Sequence, residues 1–406
     1  MTDFEPPNAA ARPRVLVIAR NYPNPALPTL GLWTERLVHC SLPIADPTVI
    51  SAIPFVPPGA AFAFAARHRT VPRMRHDVVD VYHPRVPVGP GMALHAFDRT
   101  MSYPFIQRVA DALHQERPFA LLHGHFIYPD GVIAERLGRR YGIPVVTTEP
   151  AWWIPWLNSY PRVRRQVERA LPGISTVMVV SETLGSNIHA AVGDRVTTEV
   201  VPNIVDDAMF RAPQPGESRD TDQLLFVGLI RRVKGLDILV RALGLLATSR
   251  PTVRLLVLGA GFYRGYQRDE QEVRQLVVSL GLADRVHFAG QASPESVAAA
   301  MRSSALLVVP SRRETFSVVT AEALASGIPV VATRCGGPDE ILTPELGVLV
   351  PIEDPPALAT AIDETLRRLS SFDRKQLRDS AVSRYGRAAI TRRLGKVYSR
   401  ALASRS

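Results

Sequence analysis

Cysteine is scarce in this chain: there are two in 406 residues, Cys40 and Cys335. Two thiols spaced that far apart exclude a disulfide framework and any metal centre built mainly from cysteine. Long apolar runs are also missing. The most apolar loop-like stretch, residues 50–66, is interrupted by Pro54, Pro57 and Pro58, and no segment reaches the roughly 18 apolar residues of a membrane-crossing helix. The opening residues MTDFEPPNAAARPR lack the apolar core of a signal peptide. Together these absences predict a soluble or peripheral protein of the reducing cytoplasm. Acidic residues are in deficit, 38 against 48 Lys and Arg, a net charge of +10. That excess points to an anionic partner, whether nucleotide or phospholipid surface. Nucleic acid fits poorly, because the basic residues are scattered and no recognition module is present.

What the chain does have is alternation. Short, almost continuously apolar runs such as RVLVIA from Arg14, FALLHGH from Phe119 and TVMVVS from Thr176 alternate with amphipathic stretches. Strands read this way when a parallel sheet is covered on both faces. In GVIAERLGRRYG, Ile133, Leu137 and Tyr141 share one helical face and Gly142 stops the helix. Near residue 207 the pattern gives way to DAMFRAPQPGESRDTDQ, polar and without apolar period. It then restarts with LLFVG, VRLLVLGAG, RVHFAG, ALLVVPS, IPVVAT and LGVLVP. The spacing predicts two doubly wound, Rossmann-like α/β domains, residues 1–206 and 223–384, with a linker at 207–222 and a basic helix over 385–406. Ligands of such sheets bind beyond the carboxyl ends of strands, so a site in the cleft between the domains is expected.

The most informative segment is PSRRETFSVVTAEALASGIPVVATRCGGPDEI, from Pro310. A strand ends at Pro310, a loop carries Glu314, and a helix begins near Ser317, which places Glu322 in its second turn. A helix amino terminus offers free N–H groups and the positive end of a dipole, a ready diphosphate site. A carboxylate near it suits the two hydroxyls of a ribose. By themselves Glu322 and Glu314 read equally as a solvated helix residue and an acidic loop residue. FVGLIRRVKGLDIL, from Phe226, adds Lys234 with Arg231 and Arg232 beside it, either diphosphate ligands or an ordinary basic loop. Gly31 opens a helix after a Pro-rich loop, as a cap or as a point of close approach to a ligand. Trp152, Trp153 and Trp156, and the group Arg67, Arg69, Arg73 and Arg75, read as packing and solvated loop or as a carbohydrate or lipid contact.

The segment from Glu314 resembles the signature of retaining glycosyltransferases of family 4: Glu-x7-Glu, then an Ala-Ser/Cys-Gly-x-Pro-Val-Val run and a Gly-Gly turn. Here these are Glu314, Glu322, Ala325, Ser326, Gly327, Pro329, Val330, Val331, Gly336 and Gly337. Lys234 and Gly235 match the family's Val-Gly-Arg-x4-Lys-Gly segment, with Leu229 at the arginine position. The resemblance implies the GT-B arrangement of two Rossmann-like domains, with the last helix crossing back to the first. It implies a nucleoside diphosphate sugar as donor, a hydroxyl acceptor (glycan, lipid-linked or small molecule), retention at the anomeric carbon, and no cofactor or metal. Carried over, Glu314 lies by the donor sugar with Lys234 and Arg232 at the reacting end. Glu322 takes the ribose, the amides of Phe316, Ser317 and Val318 take the diphosphate with Arg231, Gly31 approaches the donor, and the strand of His287 edges the base. Many members carry a histidine where this chain has Glu149. His125 and Asp130 are acceptor-side candidates. An epimerase or phosphorylase of the same fold, or a non-catalytic nucleotide-sugar-binding protein, stays open. The basic exterior allows peripheral contact with the anionic inner membrane face.

Overall fold

β-branched and leucine-rich runs covered on both faces can satisfy their backbone only by pairing with one another, and here they do so in two separate sheets. The computed structural model describes residues 12–24, 27, 30–55, 73–87, 99–151, 159–214, 216–261 and 267–404. Arg67, Arg69, Trp152, Trp153 and Trp156 lie outside the described residues. The chain divides into two compact units, residues 1–203 with 390–406, and residues 204–389.

The sheet of the first unit runs, in spatial order, Thr198–Val200, Thr176–Val179, Val145–Glu149, Leu121–His125, Arg14–Ile18, Asp46–Ile50, Val79–Tyr82 and Arg73–His76. All neighbours are parallel except the last pair, which is antiparallel. Strand order reverses between Arg14–Ile18 and Leu121–His125. The final helix, Arg387–Ala403, contributes to this unit's core. Thr391 Oγ1 donates to the Cys40 carbonyl at 2.9 Å, and the Tyr398 hydroxyl is hydrogen-bonded to His123 Nδ1 at 2.8 Å.

The second unit holds a fully parallel six-stranded sheet: Val286–Gly290, Arg254–Leu258, Asp220–Val227, Ser304–Val309, Val330–Thr333 and Gly347–Val350. Its core joins Leu224, Leu255, Leu306 and Val331 to Leu239, Leu243 and Ile362 of the covering helices, all 1% exposed or less. The order reverses between Asp220–Val227 and Ser304–Val309. In a doubly wound sheet that reversal opens a crevice at the strands' carboxyl ends.

Three boundaries differ from the sequence expectation. The division falls at 203/204 and 389/390, and the second sheet starts at Asp220 rather than after residue 222. The stretch 207–222 belongs to the second unit, because Arg378 donates to the carbonyls of Asp207 and Phe210 at 2.9 and 2.8 Å. A segment with no apolar period was tied down by a side chain far along the chain. The basic C-terminal helix is present as Arg387–Ala403, parted at Gly386 from a preceding helix, Arg374–Tyr385.

Candidate active site

Two loops leave the reversal point of the second sheet. The loop after Asp220–Val227 carries Lys234. The loop after Ser304–Val309 carries Glu314 and ends in the helix Val318–Ala325. Lys234 Nζ donates to both carboxylate oxygens of Glu314, at 2.8 and 3.0 Å, and Ser311 Oγ donates to one of them at 2.7 Å. The Glu314 side chain is 9% exposed and that of Lys234 31%. The ammonium therefore keeps an open side while the carboxylate is nearly enclosed. Glu314 is fixed through its backbone as well: its N–H donates to the Cys335 carbonyl at 2.9 Å, and its carbonyl accepts from Gly337 at 3.1 Å. Burial pushes the Cys335 thiol up to about 12, so this neighbour of Glu314 stays a thiol and is no nucleophile.

Ser317 precedes the helix in the left-handed region, φ 70° and ψ 71°, a conformation uncommon outside glycine and concentrated at functional sites. Its hydroxyl pairs with Thr320 Oγ1 at 2.8 Å, and no side chain caps the helix. Thr320 donates its N–H to the Ser317 carbonyl at 3.1 Å, and the N–H groups of Val318 and Val319 ahead of it have no intrahelical acceptor, the usual opening for an anion at a helix start. Phe316 is buried, its ring edge-on to Tyr385 at 5.2 Å, so its contribution to any ligand is its amide. Glu322 falls in the second turn and is 7% exposed. Neither glutamate is a solvated residue.

The structure does not gather all the residues singled out from sequence. Arg231 and Arg232 line a different hollow with Asp237, Asp269 and Glu272, where the Arg232 N–H donates to Asp269 at 2.8 Å. Lys234 is the cation that meets Glu314. His287 is exposed near the beginning of the edge strand Val286–Gly290, about 10 Å short of its carboxyl end. Gly31, in the first unit, caps the helix Leu32–Ser41 at φ 70°, and a Cβ there would lie 2.1 Å from the Asn21 carbonyl oxygen. Backbone crowding accounts for this glycine.

Sequence reading missed Arg312. Its guanidinium forms two bonds to Asp237, at 2.8 and 2.9 Å, and reaches Glu353 and the Arg232 carbonyl; its N–H donates to the Val233 carbonyl at 2.8 Å. It thus ties the Lys234 loop to the Glu314 loop. Nothing local marks it, since its partners are 75 and 41 residues away. Burial raises the Asp237 pKa, but the bonds from Arg312 and Arg241 outweigh this and leave it below the ordinary carboxylate value. Arg312→Ala is expected to cost about 2 kcal/mol, the worth of charge-assisted bonds, in urea unfolding at neutral pH. A carboxylate with a depressed folded pKa contributes stability above its unfolded pKa and loses it as pH falls through the folded value. The gap between wild type and variant should therefore narrow below about pH 4.

In the first unit, His125 ends the strand at that sheet's own reversal point and Asp130 follows it. Asp130 accepts the Arg20 N–H at 2.9 Å across it. Glu149 is fully buried and accepts the N–H groups of Ile127 and Ala151 at 2.9 and 3.1 Å. Both its oxygens thus hold backbone. His125 stacks on His123 at 4.5 Å and is 2% exposed, and among the described residues neither of its ring nitrogens has a partner. Burial drives its pKa down to about 3 and that of His123 well below its usual value. Between pH 6.5 and about 3 the unfolded chain takes up the His125 proton and the folded one does not, so this residue lowers stability on acidification by about 1.4 kcal/mol per pH unit, and His123 acts in the same direction. His125→Phe should remove the His125 share of that slope in thermal or urea melts between pH 4 and 6.5; an unchanged slope would show that His125 takes up its proton in the folded state.

Two parallel-sheet α/β units, one with a lysine–glutamate pair and an uncapped helix terminus at its reversal point, are the build of a GT-B glycosyltransferase. The chain belongs to the family whose models are described as "Glycosyl transferases group 1", matching residues 221–368, and "Glycosyl transferase 4-like domain", matching residues 14–204. A relative named D-inositol 3-phosphate glycosyltransferase from Frankia alni is 31% identical over 319 residues, 72% of this chain and 77% of that protein. One of the same name from Acidothermus cellulolyticus is 28% identical, over 63% of this chain and 62% of that protein. Among solved structures, sucrose-phosphate synthase from Thermosynechococcus elongatus superposes with a TM-score of 0.77 at 21% identity, over 97% of this chain and all of that one. HepE of Anabaena, in complex with UDP and glucose, gives 0.70 at 19%, over 96% of this chain and all of that one. At those identities the likeness is one of fold. Among the described residues no helix is long and apolar enough to cross a membrane.

Proposed function

We propose that this chain transfers a sugar from a nucleoside diphosphate sugar to a hydroxyl-bearing acceptor, with retention at the anomeric carbon. The observation that carries the reading is Lys234 Nζ on Glu314, at 2.8 Å, beside the open helix terminus at Val318. In this reading the diphosphate rests on the N–H groups from Phe316 to Val318 and on Lys234, whose open side faces the ligand. Glu322 holds the ribose, and Glu314 holds the sugar while keeping Lys234 in place. As the glycosidic bond breaks, negative charge grows on the diphosphate, and a fixed ammonium with oriented N–H dipoles stabilises that charge more than the bound donor. The acceptor attacks on the leaving-group face, and the departing phosphate oxygen takes its proton. No metal is invoked; the positive groups named carry the charge. The Anabaena neighbour bound to UDP and glucose supports a nucleotide-sugar donor, and the relatives' name supports a small hydroxylated acceptor as one candidate. The enzyme would work in the cytoplasm, in peripheral contact with an anionic membrane face.

The test is a panel of UDP-, GDP- and ADP-sugars scored for thermal stabilisation and then for transfer. A donor present at a hundredfold excess over its Kd should stabilise by about 2.7 kcal/mol. No stabilisation by any of them removes the donor site. A changed donor sugar without acceptor would make the protein an epimerase, a requirement for inorganic phosphate a phosphorylase, and binding without turnover a nucleotide-sugar-binding protein.

A further inference from the structure

The first unit carries a cationic face unconnected with the residues above. The helix Val132–Tyr141 exposes Arg136, Arg139 and Arg140, and the helix Pro161–Ala170 exposes Arg162, Arg165 and Arg169. Positions 162, 165 and 169 follow helical periodicity, so they line one stripe about 10 Å long. The two helices lie side by side, since one shallow hollow of about 280 Å³ is lined by Arg136 and Arg139 of the first and Arg169 of the second.

Negative charge on this face is scarce. Glu135 is 4% exposed as a side chain and bonded to Arg139 at 2.8 Å, Asp111 is engaged by Arg140 at 3.0 Å, and Glu168 by Arg164 at 2.9 Å. Among the described residues no ion pair engages Arg136, Arg162, Arg165 or Arg169. Arg136 instead lies over the Tyr103 ring at 4.0 Å. Beside Tyr103, Met101 and Phe105 are large apolar side chains left 54% and 39% exposed. An ordinary solvated helix intersperses both signs of charge; here one sign runs along two adjacent helices, next to exposed apolar groups.

We propose that the face formed by helices Val132–Tyr141 and Pro161–Ala170 docks on an anionic lipid surface, the arginines against headgroup phosphates and Met101 and Phe105 toward the acyl boundary. The breadth of the face favours an extended anionic surface over one small ligand, and the apolar pair favours lipid over a soluble polyanion. The proposal deepens the reading of a peripheral transferase, on which it rests for its purpose, but its physical basis lies wholly in the first unit.

The experiment is co-sedimentation of the full chain with phosphatidylcholine vesicles with and without phosphatidylglycerol. Binding is expected only with the anionic lipid and should weaken as salt shortens the screening length. The triple variant R162Q/R165Q/R169Q should partition about a hundredfold less, from the contribution per basic residue near a charged membrane. Its melting temperature and nucleoside diphosphate affinity should match wild type. M101S/F105S should lower the binding that persists at high salt. Equal sedimentation of wild type and triple variant, or equal binding to neutral vesicles, overturns the proposal. So does retention on heparin without vesicle binding, which makes the partner a soluble polyanion. If wild type docks yet binds no nucleotide, the donor-site reading fails and the docking face stands.

Discussion

Lys234→Ala is expected to lower turnover by about 10²–10³-fold, the loss seen when one preorganised group is taken from developing charge. Two effects add. First, on the proposed reading, the leaving diphosphate loses the ammonium that, among the described residues, is ion-paired with Glu314. Second, Glu314, 9% exposed as a side chain, is left with Ser311 as its described side-chain donor. Stranding a polar group at that depth costs about 1–3 kcal/mol, and the carboxylate would shift toward another partner. Nucleoside diphosphate affinity by calorimetry should fall together with turnover. Lys234→Arg keeps the charge but replaces a point donor with a planar fork, so binding should recover more than rate. Unchanged affinity and unchanged turnover in the alanine variant would remove Lys234 from the site.

Gly235→Ala is expected to damage the same site without touching a ligand-facing group. Gly235 sits at φ 68°, and a Cβ there would lie 1.9 Å from the Pro310 carbonyl oxygen and 2.8 Å from its carbon. The left-handed conformation alone costs a side chain about 1–2 kcal/mol. The contact adds more, because Pro310 is backbone on the loop that carries Glu314 and cannot rotate away. Relief requires the two loops to part, which pulls Lys234 from Glu314. A misplacement of about 1 Å costs on the order of 10²-fold in rate. Chemical denaturation should show about 3 kcal/mol of lost stability, and any folded fraction should bind nucleotide weakly. Wild-type stability together with wild-type turnover would contradict the close approach.

The division between what could be read from the residues and what could not follows from the range of the interactions. Strand and helix identity in both units is a local matter. Continuous apolar runs between amphipathic stretches imply buried parallel sheets, and strands near Arg14, Phe119, Leu224 and Ala305 lie where those runs are. Glu314, Glu322 and Lys234 were legible for the same reason: each stands at a fixed offset from a strand end or helix start, and the helix opens at Val318, one residue from the expected position.

Contacts that close over long stretches of chain left no local trace. The Lys234–Glu314 pair spans 80 residues and Arg312–Asp237 75, and the anchoring of Asp207 by Arg378 spans 171. Side-chain chemistry says that such groups want partners but not which ones, because the choice depends on how strands are ordered in a sheet. That ordering set Arg231 and Arg232 along a hollow with Asp269 and Glu272, paired Lys234 with Glu314, and turned Glu149 inward onto the backbone of Ile127 and Ala151. Residue types and spacings were enough to name the family and to single out Glu314 and Glu322. Which cation meets Glu314, and which arginine braces the two loops, was set by the fold, since strand order decides which loop ends become neighbours.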